Sequence, residues 1–254
     1  MARMPLKNPD PFFLKGGQTG ILLIHGFTAS PSEMSYLGTY LNERDLSVSA
    51  PLLPGHGTTA EDANRYRWQH WANHLTIAFA ELQDRCSSIF IGGFSAGALL
   101  ALYLAARLGQ INGVLTYAPA IKASNKKLIL APVIKYFRRT VPKPADIDMY
   151  PDVASVRWAY DDYPASGAHE LSRLQREVKS SLPEVTAPLL VIYSTADETV
   201  RPDGIELLLK KAGSSEKEVV TLQNSGHIIT LDQERDVVAA KSYQFIRKFE
   251  TSEG

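Results

Sequence analysis

The sequence predicts an α/β fold: a mostly parallel, doubly wound sheet with a small helical cap inserted into it. Three observations carry that expectation. Short uninterrupted apolar runs recur at residues 20–25, 89–94, 113–118 and 188–194, the pattern of strands buried on both faces. Helical stretches separate these runs, and strands joined through helices of about ten residues or more pair in parallel by right-handed crossovers. One run, Ile89-Phe90-Ile91, passes through Gly92-Gly93-Phe94-Ser95-Ala96-Gly97 directly into a helix-forming stretch that begins at Ala98.

The elements follow in order. After a proline-rich start, the first run ends at His25 and is stopped by Gly26. Ser30-Pro31-Ser32-Glu33 has helix-start chemistry, with Pro31 in an early position, ahead of a helical stretch over 34–43. Residues 46–51 form the next short strand, and Leu52-Leu53-Pro54-Gly55-His56-Gly57 is a turn-rich loop. Residues 67–85 read as a helix because Trp68, Trp71, Leu75, Ala78, Phe79 and Leu82 recur at three- and four-residue spacings. The serine-bearing strand, its helix and a strand over 113–119 come next. The rhythm breaks over 120–183, where apolar residues, prolines and charges mix and a helix is expected over 168–181. It resumes with a strand over 188–194, a helix over 202–211, a strand over 218–222 and a last helix over 232–249. The simplest division assigns residues 1–119 and 184–254 to the core and 120–183 to the cap.

Composition narrows the function. The chain of 254 residues balances 27 Lys and Arg against 27 Asp and Glu, which offers no general surface for polyanions, so nucleic acid is not an expected partner. The single cysteine, Cys86, cannot form an internal disulfide and reads as a small buried hydrophobe. The first ten residues lack the apolar core of a secretory signal, and no run reaches the roughly 20 apolar residues of a membrane span. A cytoplasmic protein without stable membrane insertion is expected.

The chemistry gathers where the strands end, as it does in open parallel sheets. Gly93-Phe94-Ser95-Ala96-Gly97 fits the G-x-S-x-G elbow in its strand–turn–helix context, with two glycines that allow strand and helix to approach closely. A serine hydroxyl needs a base, and the base needs an acceptor on its other nitrogen. His227, in Asn224-Ser225-Gly226-His227, and Asp197, directly after the 188–194 strand, are the candidates, with Glu198 as the rival acid. The order Ser95, Asp197, His227 is the nucleophile–acid–base order of the α/β-hydrolases. The Phe27 amide, after the strand expected beside the elbow strand, and the Ala96 amide would form a two-donor oxyanion hole. His25 is expected to shape its turn by a hydrogen bond, and His56 to brace its loop.

With these residues in hand, the chain resembles the small bacterial carboxylesterase and monoacylglycerol lipase branch of the α/β-hydrolase superfamily. The likeness is carried by Leu22-Leu23-Ile24-His25-Gly26-Phe27-Thr28, Pro51 to Gly57, the elbow, Asp197-Glu198-Thr199-Val200 and Ser225-Gly226-His227. It implies the α/β-hydrolase fold, a triad at Ser95, Asp197 and His227, an oxyanion hole at Phe27 and Ala96, and a compact cap over an acyl pocket. One departure is local: Ala196 stands where relatives often carry glycine before the acid.

Within the cap, Ile129, Val133, Ile134 and Phe137, with Trp158 and Tyr160, are expected to line or cover an apolar site. That favours short- to medium-chain acyl esters or monoacylglycerols as small-molecule substrates, and a monomer or weak homodimer. Feruloyl-type esters, thioesters and lactones are alternatives with the same triad; a ligand-binding protein without turnover is the alternative of another class. No Cys, His or Asp cluster has metal spacing and no nucleotide-binding glycine loop is present, so no cofactor is expected. With histidine as base, activity should fall below a pH of about 6 to 7, and a rate that stays flat to about pH 5 would remove histidine from that role.

Overall fold

The computed structural model describes residues 8–124, 131–143 and 151–251. Among these, seven strands form one sheet in the order β1-β3-β2-β4-β5-β8-β9, with β1 (Phe12–Leu14), β2 (Thr19–Ile24), β3 (Ser47–Ala50), β4 (Ser88–Phe94), β5 (Gly113–Tyr117), β8 (Leu189–Ser194) and β9 (Lys217–Leu222). Only β1 runs antiparallel, against β3; the other neighbours pair in parallel. The chain first steps outward from β2 to β3, then returns to lay β4 on the far side of β2, and adds β5, β8 and β9 beyond it. Residues after β2 and β4 therefore meet at the point where the strand order reverses, the crevice in which such sheets place their ligands.

Period-two alternation divides the core into two layers. Leu22, Ile24, Ile89, Ile91, Val114, Leu189 and Val191 face α3 (Trp68–Gln83), α4 (Ala96–Arg107) and α8 (Pro202–Lys211). Ile21, Leu23, Phe90, Phe94, Leu115, Leu190 and Ile192 face α1 (Ser35–Asn42) and α9 (Arg235–Phe249). The helical spacing read from Trp68 to Leu82 is the buried face of α3. β4 is buried along its whole length, and nearly every residue of α4 is buried too.

Several expectations shift in detail. A 3₁₀ turn over Pro31–Met34 precedes α1, with Ser30 Oγ accepting from Ser32 N. Glu33, read as part of that helix start, turns its carboxylate inward instead. β1 is a three-residue edge strand, and α2 (Ala60–Ala63) is a single turn begun by Thr59, whose hydroxyl accepts from Asp62 N. Neither is long enough to show a period.

The 120–183 stretch contains α5 (Ala131–Ile134), the two-stranded antiparallel pair β6 (Thr140–Pro142) and β7 (Asp162–Pro164), α6 (Pro151–Val156) and α7 (Ala165–Ser181). α7 is not peripheral: Leu171, Leu174 and Val178 join the same buried cluster as α3 and α4. Among the described residues no helix is long and apolar enough to cross a membrane.

His25 and His56 are buried side by side, ring centroids 5.1 Å apart. Leu53 N donates to His25 Nε2 at 3.1 Å, which leaves Nδ1–H to donate to Gly26 O at 2.9 Å. His25 therefore ties the turn after β2 to the loop after β3. His56 packs edge-on to Trp71 and stacks with Tyr160. Burial pushes the His56 imidazole down to about 4, and burial followed by the charge of His56 pushes His25 well below its ordinary value. In the unfolded chain both rings protonate near pH 6.5. Stability is therefore complete above pH 6.5 and falls as pH drops toward 4, by about 3 kcal/mol from His56 alone. Denaturant melts at neutral pH and near pH 4.5 should show this loss, and His56→Gln should reduce it; an unchanged pH slope in the variant would contradict the assignment.

Candidate active site

The elbow is set by what cannot fit there. Ser95 lies at φ 54°, ψ −108°, a left-handed backbone that side-chain-bearing residues avoid. It is held from both sides: Ser95 N donates to Tyr117 O at 2.8 Å, and Ala120 N donates to Ser95 O at 3.2 Å. A Cβ on Gly93 would lie 2.1 Å from Gly97 O, and one on Gly97 would lie 2.2 Å from Ile24 O. Both glycines are thus required by contact, and the second lets the first turn of α4 settle onto the end of β2. Ser95 keeps partial exposure while its neighbours are buried.

Ser95 Oγ lies 2.9 Å from His227 Nε2, and His227 Nδ1 lies 2.7 Å from Asp197 Oδ2. The carboxylate accepts the Nδ1 proton, so the Nε2 lone pair faces the serine hydroxyl. Asp197 also accepts the Thr199 and Val200 amides on Oδ1, at 2.7 and 3.2 Å. Its cap-like amide contacts and its histidine contact therefore use different oxygens of one buried carboxylate. Glu198 is exposed. The remaining histidines have other surroundings; His70 Nδ1, for example, accepts Arg67 N at the start of α3.

The loop carrying His227 is built on two acids that sequence patterning had not singled out. Asp232 Oδ2 accepts Gly226 N at 2.6 Å. Glu234 Oε2 accepts Asn224 N, Ser225 N and Ser225 Oγ, each at 2.9 Å. Burial would raise the Glu234 carboxyl, but these amides and the hydroxyl together hold it below the ordinary carboxylate range. Ser194 Oγ, at the end of β8, donates to Ser225 O at 2.5 Å and joins the acid-bearing and base-bearing loops. The available signal was an acidic residue following the Ser-Gly-His stretch at a distance too long for capping patterns.

Phe27 follows β2, and its amide donates to no protein acceptor among the described residues. Ala96, as the first residue of α4, has no intrahelical acceptor for its amide. Of the cap residues, Trp158 and Tyr160 pack together, and Tyr160 OH donates to Gly55 O at 2.5 Å beside His56. Ile134 is half-buried, whereas Val133 and Phe137 are 58% and 82% exposed. Ile129 lies outside the described residues. Among those residues no group of three or more His, Cys, Asp or Glu is placed to share a metal ion.

A parallel sheet with an inner elbow serine, a strand-end acid and a loop histidine in hydrogen-bonded sequence defines an α/β-hydrolase. Comparison with known proteins makes this specific. The family model described as serine aminopeptidase, S33, matches residues 18–234, and the chain belongs to that family. It is 31% identical over 243 residues to a thermostable monoacylglycerol lipase of Bacillus sp. (strain H-257), covering 96% of each protein. It is 25% identical over 248 residues to a carboxylesterase of Bacillus subtilis (strain 168), covering 97% of this chain and 100% of the other. A solved structure from work on LipS and LipT, two metagenome-derived lipolytic enzymes, superimposes with a TM-score of 0.89 at 29% identity, covering 96% of this chain and 99% of that one. The chain is accordingly a hydrolase of the esterase and monoacylglycerol lipase branch.

If Asp197 orients the base, Asp197→Asn should lower hydrolytic turnover by about 10³- to 10⁴-fold while leaving the fold intact, because the amide keeps the bulk but not the acceptor geometry. Glu198→Gln should change it by less than about threefold. Steady-state rates of the two purified variants decide between the acids, and a larger loss in the second would reverse the assignment.

Proposed function

We propose that this ester-hydrolysing α/β-hydrolase is a serine carboxylesterase acting on short- to medium-chain acyl esters or monoacylglycerols through an acyl-enzyme intermediate. The observation that carries the reading is the continuous relay from Asp197 Oδ2 through His227 to Ser95 Oγ, at 2.7 and 2.9 Å, on a serine held in a left-handed turn. Ser95 Oγ attacks the ester carbonyl as His227 Nε2 takes its proton, and Asp197 stabilises the imidazolium that forms. The amides of Phe27 and Ala96 receive the negative oxygen of the tetrahedral intermediate. His227 then delivers the proton to the leaving alcohol, and the bond from acyl carbon to alcohol oxygen breaks. A water, deprotonated by the same ring, attacks the acyl-serine and releases the acid, returning the proton to Ser95.

The relatives named for monoacylglycerol and carboxylic esters support this substrate class. Trp158 and Tyr160, packed together at the inner edge of the cap, support an acyl or aryl group lying against them.

A fluorophosphonate probe should label wild-type protein at Ser95 and leave Ser95→Ala unlabelled, with esterase rate in that variant reduced by at least about 10³-fold. Across p-nitrophenyl and glycerol esters of graded chain length, kcat/KM should peak at short to medium acyl chains. Absence of label, retained activity in Ser95→Ala, or higher kcat/KM for acyl-CoA, lactone or feruloyl substrates would each overturn the corresponding part of the reading.

A further inference from the structure

The turn after β2 is held at several backbone groups. Gly26 N donates to Glu33 Oε2 at 2.8 Å, and Gly26 O accepts His25 Nδ1. Thr28, itself at φ 66°, presents its carbonyl to Tyr160 N at 2.9 Å and its hydroxyl to Lys143 Nζ at 2.7 Å. Ala29 forms a β-bridge with Ala159. Lys143 Nζ also donates to Tyr160 O at 2.5 Å, and Trp158 N donates to Ser32 Oγ at 3.0 Å. Between Gly26 and Thr28, the Phe27 N–H is left with no acceptor among the described residues.

The centre of this clamp is an ion pair. Glu33 is fully buried, and its second oxygen, Oε1, meets Arg157 Nε at 2.7 Å with the arginine side chain only 11% exposed. A buried charge pair is weak evidence for stability, since an apolar pair of similar volume commonly does as well. What an apolar pair cannot do is accept the Gly26 N–H. There is no spare room for a different arrangement either: a Cβ on Gly26 would sit 2.9 Å from Glu33 Oε2 and 3.1 Å from the Phe94 ring. Glu33 comes from the 3₁₀ turn before α1 and Arg157 from the insertion, so one carboxylate ties the turn to both the core and the cap.

We propose that Glu33 and Arg157 are positioning residues that aim the Phe27 amide at the oxyanion, so that the cap segment 157–160 sets the geometry of the oxyanion hole as well as covering the site. This rests on the acyl-enzyme reading above. The expected signature is a loss in the chemical step with substrate binding retained, because the pair touches the turn and not the substrate.

The test uses full-length protein, a p-nitrophenyl butyrate assay and an alkylboronic acid, whose tetrahedral adduct with Ser95 places an oxygen in the hole. Glu33→Gln and Arg157→Met should each lower kcat by about tenfold or more with KM within about threefold, and weaken the boronate by a factor similar to the kcat loss. Arg157→Lys should recover most of the loss. Each single change also alters the local charge balance, so Glu33→Gln combined with Arg157→Met is measured alongside, together with the melting transition of each variant. Folded variants with kcat within about twofold of wild type, or a kcat loss without weaker boronate binding, overturn the proposal. A combined variant that no longer melts cooperatively also overturns it, in favour of a fold-supporting pair. Activity surviving in Ser95→Ala, by contrast, would refute the acyl-enzyme reading itself.

Discussion

The structure turns on the conformation of one residue. Ser95 can reach His227 only because its backbone enters a left-handed region that costs on the order of 1–3 kcal/mol and must be held by its surroundings. Those surroundings are deeply buried. β4 arrives with every residue buried, α4 leaves with its apolar residues packed under the sheet, and the two glycines remove the atoms that would collide with Gly97 O and Ile24 O. The core therefore supplies more than stability. It holds Ser95 in a backbone conformation that side-chain-bearing residues otherwise avoid.

The residues hydrogen-bonded in sequence to Ser95, His227 and Asp197, come from loops. Loops gain rigidity here from carboxylates that accept backbone amides. Asp197 gathers Thr199 and Val200, Asp232 gathers Gly226 and Gln233, Glu234 gathers residues 223–225, and Glu33 gathers Gly26. A carboxylate suits this task because each oxygen accepts more than one donor, and charge-assisted bonds to amides are shorter and stronger than neutral ones. The same device recurs at the Asp197 loop, the His227 loop and the Phe27 turn, and the Ser194 hydroxyl couples the first two.

What the amino-acid order made legible follows from range. Ser95, Asp197 and His227 stood out because a strand period, a glycine pattern and a loop mark each locally, and strand-end placement then brings them together without further information. The sheet and its two core layers were legible for the same reason: residues such as Leu22 and Leu23 alternate between layers within a single strand. Glu33 was read as a helix-start residue because Ser30-Pro31-Ser32-Glu33 satisfies that local rule, while its partners, Gly26 and Arg157, lie 7 and 124 residues away. Asp232 and Glu234 escaped notice on the same grounds. β1 and α2 are too short for periodicity, and the cap offered prolines and mixed charges in place of a repeating face.

The inserted segment is better understood by its two attachments than by its sequence span. Its rear, α7, contributes Leu171, Leu174 and Val178 to the cluster that also holds Leu99 and Ile91, so it is part of the core in energetic terms. Gly167, in the first turn of α7, lies against the Phe27 ring, where a Cβ would approach to 3.0 Å. Its inner edge, residues 157–160, is bonded into the oxyanion turn. Among the described residues the front differs, where Val133, Tyr136 and Phe137 lie largely in solvent. Substitutions there alter little of the buried network, whereas substitutions at the rear or inner edge reach the turn that carries Phe27. The front of the insertion can therefore vary in sequence at little cost to packing, whereas its rear and inner edge cannot.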